Sequence, residues 1–175
     1  MLIRPRTDED VPACLALMRR THELDGYPRY WRADPQQFLV GAGEQAAWVA
    51  ERDGTPVGHV AVHDASGNPV LPAAQAATGA EPAALAVVAR LLVSPDARRT
   101  GVGARLLDEA TAWVHAQGRR PVLDVLQDEP GVIALYERRG WQRLDPVVLP
   151  IEGHEPLLLW VYLGPPPPLS AVRAI

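Results

Sequence analysis

Disulfides, membrane spans and a general attraction for polyanions are all beyond what this chain offers. Its single cysteine, Cys14, cannot form an internal disulfide. Because Cys14 falls in an apolar-periodic segment, it reads as a buried structural thiol rather than a reactive one, suited to a reducing compartment. No apolar run approaches the roughly 20 residues that cross a bilayer. Met1 to Arg6 is too poor in apolar residues for a secretion signal, so the expected location is cytoplasmic, with no membrane partner. The 17 basic and 21 acidic residues give a formal charge of -4, which provides no field for gathering phosphate polymers, and nucleic acid is not expected as a partner. His59 and His63 share one strand face, but no third ligand converges on them at metal-site spacing, so no metal is expected.

What is present suits one globular domain: 175 residues, 47% hydrophobic and 22% charged. The domain is assigned to residues 1–163 and a proline-rich tail to 164–175. Leu2 to Arg6 reads as a first strand. Val11, Cys14, Leu15 and Met18 then recur at helical spacing, with Asp10 as a cap and Pro12 in the tolerated first turn. Gly26 to Phe38 is aromatic-rich with a weak helical stretch at its end, and is either a ligand wall or a loop whose rings cap the core. Ala46 to Arg52 and Thr55 to His63 are strands joined by Asp53-Gly54, a dipeptide suited to a tight hairpin. Asp64 to Ala84 lacks aliphatic periodicity and is expected to be a long loop.

Leu85 to Val93 is almost continuously apolar, as a central strand covered on both faces should be, with Arg90 the exception. After Ser94 to Ala97, a helix places Val102, Leu106, Leu107, Ala110 and Val114 on one face before Gly118 ends it. Pro121 to Leu126 is a strand, Pro130 to Arg139 a helix stopped by Gly140, and Trp141 to Leu144 and Leu157 to Leu163 are late strands.

The chemistry concentrates in Arg98-Arg99-Thr100-Gly101-Val102-Gly103-Ala104, which leads from the apolar strand into a helix. The first amides of a helix lack internal acceptors and the helix dipole favours negative charge, so such a start accepts an anion. Glycines at 101 and 103 allow a phosphate to approach, and Arg98 or Arg99 can add charge-assisted hydrogen bonds. A dinucleotide-binding turn would place its glycines directly on the strand end. A P-loop needs a following Lys-Ser or Lys-Thr, which is missing.

Leu91-Leu92-Val93-Ser94-Pro95 followed by Arg98-x-x-Gly101-x-Gly103 resembles the acetyl-coenzyme A signature of the GNAT superfamily of N-acetyltransferases. A second block, Gly131 to Trp141, is similar to the helix and strand that this family places beside the cofactor thiol. The resemblance implies an α/β fold: a mixed, mostly antiparallel sheet of six to seven strands flanked by helices and split between the fourth and fifth strands. It implies an acyltransferase that moves an acetyl group from acetyl-coenzyme A to a primary amine of a small molecule or peptide, directly, in a ternary complex. Backbone groups of Leu91, Leu92 and Val93 would pair with the pantetheine arm, and Arg98, Arg99, Thr100, Gly101, Val102, Gly103 and Ala104 would hold the pyrophosphate. Glu129 stands where many family members carry an asparagine; its bland reading is a carboxylate favouring the helix N-terminus.

Acyl transfer needs a neutral amine, a stabilised oxyanion and a proton for the departing thiolate. By the resemblance, Tyr136 faces the coenzyme sulfur and is the candidate acid; otherwise it is a tyrosine packed beside Ile133. Asp124, flanked by Leu123 and Val125, matches a position where some relatives use an acidic base; otherwise it is an outward or structurally bonded carboxylate. Arg90 either guides an acidic acceptor or forms a structural ion pair. A reading from a different class is a non-catalytic acyl-coenzyme A sensor. The sequence leaves the acceptor and the oligomeric state open, a homodimer included.

Overall fold

Apolar alternation and turn chemistry carry the chain into a seven-stranded sheet in the order β1-β2-β3-β4-β5-β7-β6. The computed structural model describes residues 1–168; the end of the proline-rich tail, residues 169–175, lies outside the described residues. The strands are β1 (Leu2–Pro5), β2 (Glu44–Arg52), β3 (Thr55–Asp64), β4 (Leu85–Val93), β5 (Arg120–Leu126), β6 (Gln142–Leu149) and β7 (Leu157–Leu163). The helices are α1 (Val11–Asp25), α2 (Pro35–Leu39), α3 (Leu71–Thr78), α4 (Val102–Ala116) and α5 (Pro130–Arg138). Pairing is antiparallel for β1 with β2, β2 with β3, β5 with β7 and β6 with β7; β4 and β5 run parallel, with Leu85, Ala86 and Val87 opposite Arg120, Pro121 and Val122.

The chain divides into two compact units. The first comprises Met1–His63 and Val88–Ala110. Its β2–β3 hairpin turns through Asp53 at φ 52° and Gly54 at φ 76°, the paired positive angles a two-residue turn requires. One face of α1 buries Cys14, Leu17 and Met18 with Leu39, Val49 and Leu92. Each such aliphatic side chain contributes about 1.5–3 kcal/mol by leaving water. Burial pushes the Cys14 thiol up to about 11, consistent with a structural role. Asp10 holds the N-cap position of α1, as expected, but its side chain makes no capping bond to the helix. A single 3-10 turn over Asp8–Asp10 precedes the helix, and the Asp10 carboxylate is drawn back to the Thr7 amide at 2.8 Å and to Arg4 at 2.7 Å.

The second unit comprises Asp64–Val87 and the chain from Thr111 onward. It buries Val70, Ala74, Leu85, Ala86, Val114, Val122, Leu123, Val161, Tyr162 and Leu163. The segment expected to be a long loop contains α3 and a 3-10 turn over Pro82–Ala84. Alanine has the highest helix propensity, so α3 forms without an aliphatic stripe. Pro72 sits in its first turn and Gly79, at φ 66°, ends it.

Candidate functional site

In the first unit, the regular pleat of β4 is interrupted at Arg90, whose φ is 56°. Up to Val88 the strand is buried; Ala89, Arg90 and Leu91 are half-buried, Leu92 is buried again and Val93 is half-buried. A left-handed conformation costs an L-residue roughly 1–2 kcal/mol, so surrounding contacts must hold it. One of them is His59 of β3, whose Nδ1 lies 2.9 Å from the Arg90 carbonyl oxygen. A carbonyl only accepts, so Nδ1 carries the proton; Nε2 then accepts from Arg6 Nη1 at 3.0 Å. Arg6 in turn donates to both carboxylate oxygens of Glu44, at 3.0 and 2.5 Å. Burial, against the hydrogen bond to Arg90 and aided by the charges of Arg6 and Arg90, pushes His59 down to about 4. Its partner on the same strand face, His63, is pushed down to about 4 by burial and by the charges of Arg90 and Arg6.

After β4 the chain makes a 3-10 turn over Pro95–Ala97, anchored by the Ser94 amide on the Val57 carbonyl at 2.8 Å. Arg99 then takes φ 59° and Gly101 φ 83°. Arg99, Thr100 and Gly101 are exposed, and a Cβ placed on Gly101 would meet nothing within 4 Å. The Arg105 amide donates to the Gly101 carbonyl at 3.0 Å. The amides of Val102, Gly103 and Ala104 therefore occupy the first turn of α4, where a helix has no internal acceptor for them. The Thr100 hydroxyl is turned onto the Ala97 carbonyl at 2.6 Å, which closes the loop from inside. This is the geometry of an anion cradle: an open glycine, exposed backbone and a helix start.

The cofactor residues expected from the sequence, Leu91 to Val93 and Arg98 to Ala104, all lie on this stretch of the first unit. Arg98 has an additional role. Its guanidinium grips both oxygens of Asp25, the last residue of α1, and holds that carboxylate below its usual range. Arg20 of α1 also reaches Asp96 at 2.8 Å. Sequence reasoning missed Asp25, although an acid at a helix C-terminus opposes the dipole and signals a cation partner. It also missed Gly58, where a Cβ would lie 2.8 Å from Leu106 Cδ1 and 3.0 Å from Val102 Cγ1. A glycine inside a strand marks such a close approach, here the seating of the first turn of α4 on β3.

The second unit holds the two catalytic candidates. Asp124 is exposed, on the strand face opposite buried Leu123 and Val125, and sits across from Val161 of β7. Tyr136 is buried on α5, its ring 5.9 Å from that of Trp141 and 5.8 Å from that of Tyr162. Behind it, the Tyr162 hydroxyl donates to Glu137 at 2.8 Å, and Arg143 donates to Tyr162 at 3.0 Å and to Glu137 at 2.6 Å. Arg143 and then Tyr162 hold the Glu137 carboxyl below its usual range. These partners pin α5 and were not singled out from the sequence. Glu129 takes the N-cap position of α5 without a side-chain capping bond; its carbonyl accepts from Ile133 at 3.0 Å and Val132 at 3.2 Å. Among the described residues, no group of three or more His, Cys, Asp and Glu side chains could hold a metal ion, and no helix is long and apolar enough to cross a membrane.

Known proteins share this architecture. The crystal structure of the ribosomal-protein-alanine N-acetyltransferase from Brucella melitensis superposes with a TM-score of 0.68 at 21% identity, over 93% of this chain and 98% of that one. Arabidopsis thaliana NAA60, solved in complex with acetyl-CoA, gives a TM-score of 0.67 at 18% identity, over 93% and 97% of the two chains. In sequence, the chain is 27% identical over 152 residues to the uncharacterized N-acetyltransferase MJ1207 of Methanocaldococcus jannaschii, an alignment covering 83% of this chain and 62% of that relative's length. The acetyltransferase (GNAT) family model matches residues 12–141. With most of its length matched, the chain belongs to the GNAT acetyltransferase family.

Proposed function

We propose that the protein transfers an acetyl group from acetyl-coenzyme A to a primary amine of a small molecule or peptide, directly and without an acyl-enzyme, within a single domain of residues 1–163. The observation that carries this reading is the Gly101 loop. It is exposed, has no atoms within 4 Å of a would-be Cβ, and opens onto the first turn of a 15-residue helix. A diphosphate there would be held by backbone amides, while the backbone of Leu91 to Val93 pairs with the amide-bearing arm. The NAA60 structure, solved with acetyl-CoA, supports the choice of donor.

The residues divide the chemistry as follows. The amine must lose its proton before it attacks, and Asp124, an exposed carboxylate, takes that proton directly or through water. The nitrogen lone pair forms the new C–N bond at the acetyl carbon, and the oxyanion is met by the main-chain N–H near Val93. The C–S bond then breaks, with Tyr136 donating its phenolic proton to the sulfur while the nitrogen, now bonded to the acetyl carbon, sheds its second proton, which returns through water to the Tyr136 oxygen and leaves a neutral amide and free thiol. No nucleophile is needed on the protein, and the only cysteine is buried in α1.

Calorimetry with purified protein and acetyl-coenzyme A, followed by thiol release across a panel of amines, tests the reading. Micromolar binding that weakens at least tenfold in Gly101→Val, together with amine-dependent release, is the expected outcome. Binding without any amine-dependent release would favour an acyl-coenzyme A sensor. No binding at all would overturn both readings.

A further inference from the structure

Four arginines of the first unit are paired with acids. Arg4 pairs with Asp10 and Glu51, Arg6 with Glu44, Arg20 with Asp96 and Arg98 with Asp25. Arg90 and Arg32 depart from this pattern. The Nε of Arg90 donates to the Phe38 carbonyl at 2.7 Å, and its guanidinium carbon lies 3.7 Å from the centroid of the Phe38 ring. Arg32 brings a second guanidinium to the same ring, 5.4 Å from the centroid, and its Nε is buried with no hydrogen-bond partner among the described residues. Among the described residues neither side chain forms an ion pair, so Arg90 does not have the structural ion pair that was one reading of its place in an apolar strand.

Two half-buried cations against one ring are no farther apart than those two distances combined. They repel each other, and stacking offsets only part of the cost of withdrawing them from water. Among the described residues no carboxylate pairs with either of them. The nearby imidazole of His63 is pushed down to about 4, by burial first and then by the charges of Arg90 and Arg6, so it is neutral at pH 7. The Nε2 of His63 is also buried without a partner among the described residues. The backbone is committed as well: Arg90 holds its left-handed conformation while His59 bonds its carbonyl. A buried guanidinium donor without an acceptor, a second guanidinium bonded to a carbonyl and to no carboxylate, and an imidazole nitrogen without a partner together describe a polar cluster whose anion is missing among the described residues. The planar fork of arginine matches the two oxygens of a carboxylate.

We propose that Arg32 and Arg90, arranged around Phe38, bind a carboxylate on the acceptor, so that the preferred substrate is an amine that also bears a carboxylate. This rests on the acetyl-transfer reading, in which Leu91, the next residue after Arg90, begins the stretch that holds the acetyl donor. Phe38 sets the spacing of the two cations, and the fixed Arg90 backbone keeps the fork from swinging out toward solvent.

The test uses the full chain, acetyl-coenzyme A and matched acceptors: a panel of free amino acids, each against its carboxamide, with an acidic dipeptide against its amidated form. The expected result is a kcat/KM at least tenfold higher for the acid than for the amide. That ratio should fall toward one in Arg32→Gln and Arg90→Gln and take an intermediate value in Arg90→Lys, which keeps the charge but loses the fork. If Arg90→Gln does not fold, Arg32→Gln, in the segment before α2, decides alone. Equal kcat/KM for acids and amides in the unaltered protein, or a ratio that neither variant changes, would overturn the carboxylate site and leave acetyl transfer standing. A weakened calorimetric affinity for acetyl-coenzyme A in both variants, with the acid-to-amide ratio intact, would assign the anion to the donor and likewise overturn it. Failure of the unaltered protein to bind acetyl-coenzyme A would instead remove the underlying reading.

Discussion

Acidification should destabilise this protein in a window that belongs to its buried imidazoles. In the unfolded chain His59 takes up a proton near pH 6.5. In the folded chain it does so only near 4, because burial disfavours the charged ring. Protonation would also force Nε2, which accepts from Arg6, to become a donor facing a guanidinium. Between those two values the unfolded chain binds the extra proton. The stability that His59 contributes is therefore fully present above about pH 6.5, is lost as the pH falls, and changes no further below about 4. At about 1.4 kcal/mol per pH unit, the loss across the window is on the order of 3 kcal/mol, a large share of the roughly 5–15 kcal/mol of a typical domain. His63 shifts in the same direction but is only half-buried and adds less. The carboxylates of Asp10, Asp25, Asp64 and Glu137 are held low, so their contribution is lost only as the pH falls through the ordinary carboxylate range. The interval from pH 6.5 to 5 thus isolates the imidazoles. Urea unfolding at half-unit steps across it should show the unaltered protein losing stability, and His59→Gln, which cannot titrate, losing it with about half the slope or less. Equal slopes in the two proteins, or stability that rises on acidification, would refute the burial argument.

Three further outcomes follow from the geometry. Tyr136→Phe keeps the ring contacts with Trp141 and Tyr162 and should lower kcat at least tenfold with the acetyl-coenzyme A affinity unchanged. In the same steady-state assay, Asp124→Asn should abolish the acid limb of the pH profile, and a normal profile would take Asp124 out of the mechanism. Gly58→Ala forces a Cβ to 2.8 Å from Leu106 and 3.0 Å from Val102; repacking should cost about 1–3 kcal/mol and weaken acetyl-coenzyme A binding by shifting the start of α4, whereas an unchanged melting temperature and affinity would show that α4 yields freely.

Local backbone rules made much of the fold legible. The Asp53-Gly54 turn, the apolar run of β4, the stripe on α4 and the stops at Gly118 and Gly140 each depend on a few neighbouring residues, and the structure shows each of them. The Gly101 loop was legible for the same reason, since a strand, a turn and a helix start are consecutive in the chain. Helix α3 was not, because alanines form helices by propensity without the aliphatic spacing that marks a buried face. Tertiary structure alone decided the rest. Pairing inserted β7 between β5 and β6, brought Arg98 to Asp25 across 73 positions, and set Arg90 against the Phe38 carbonyl across 52. Charge and hydrogen-bonding capacity are written in the residue, but which group satisfies them depends on contacts that only the folded chain makes. Asp124 and Arg90 could each be read two ways from sequence because a strand position fixes a side chain's alternation, while the neighbours it meets come from elsewhere in the chain.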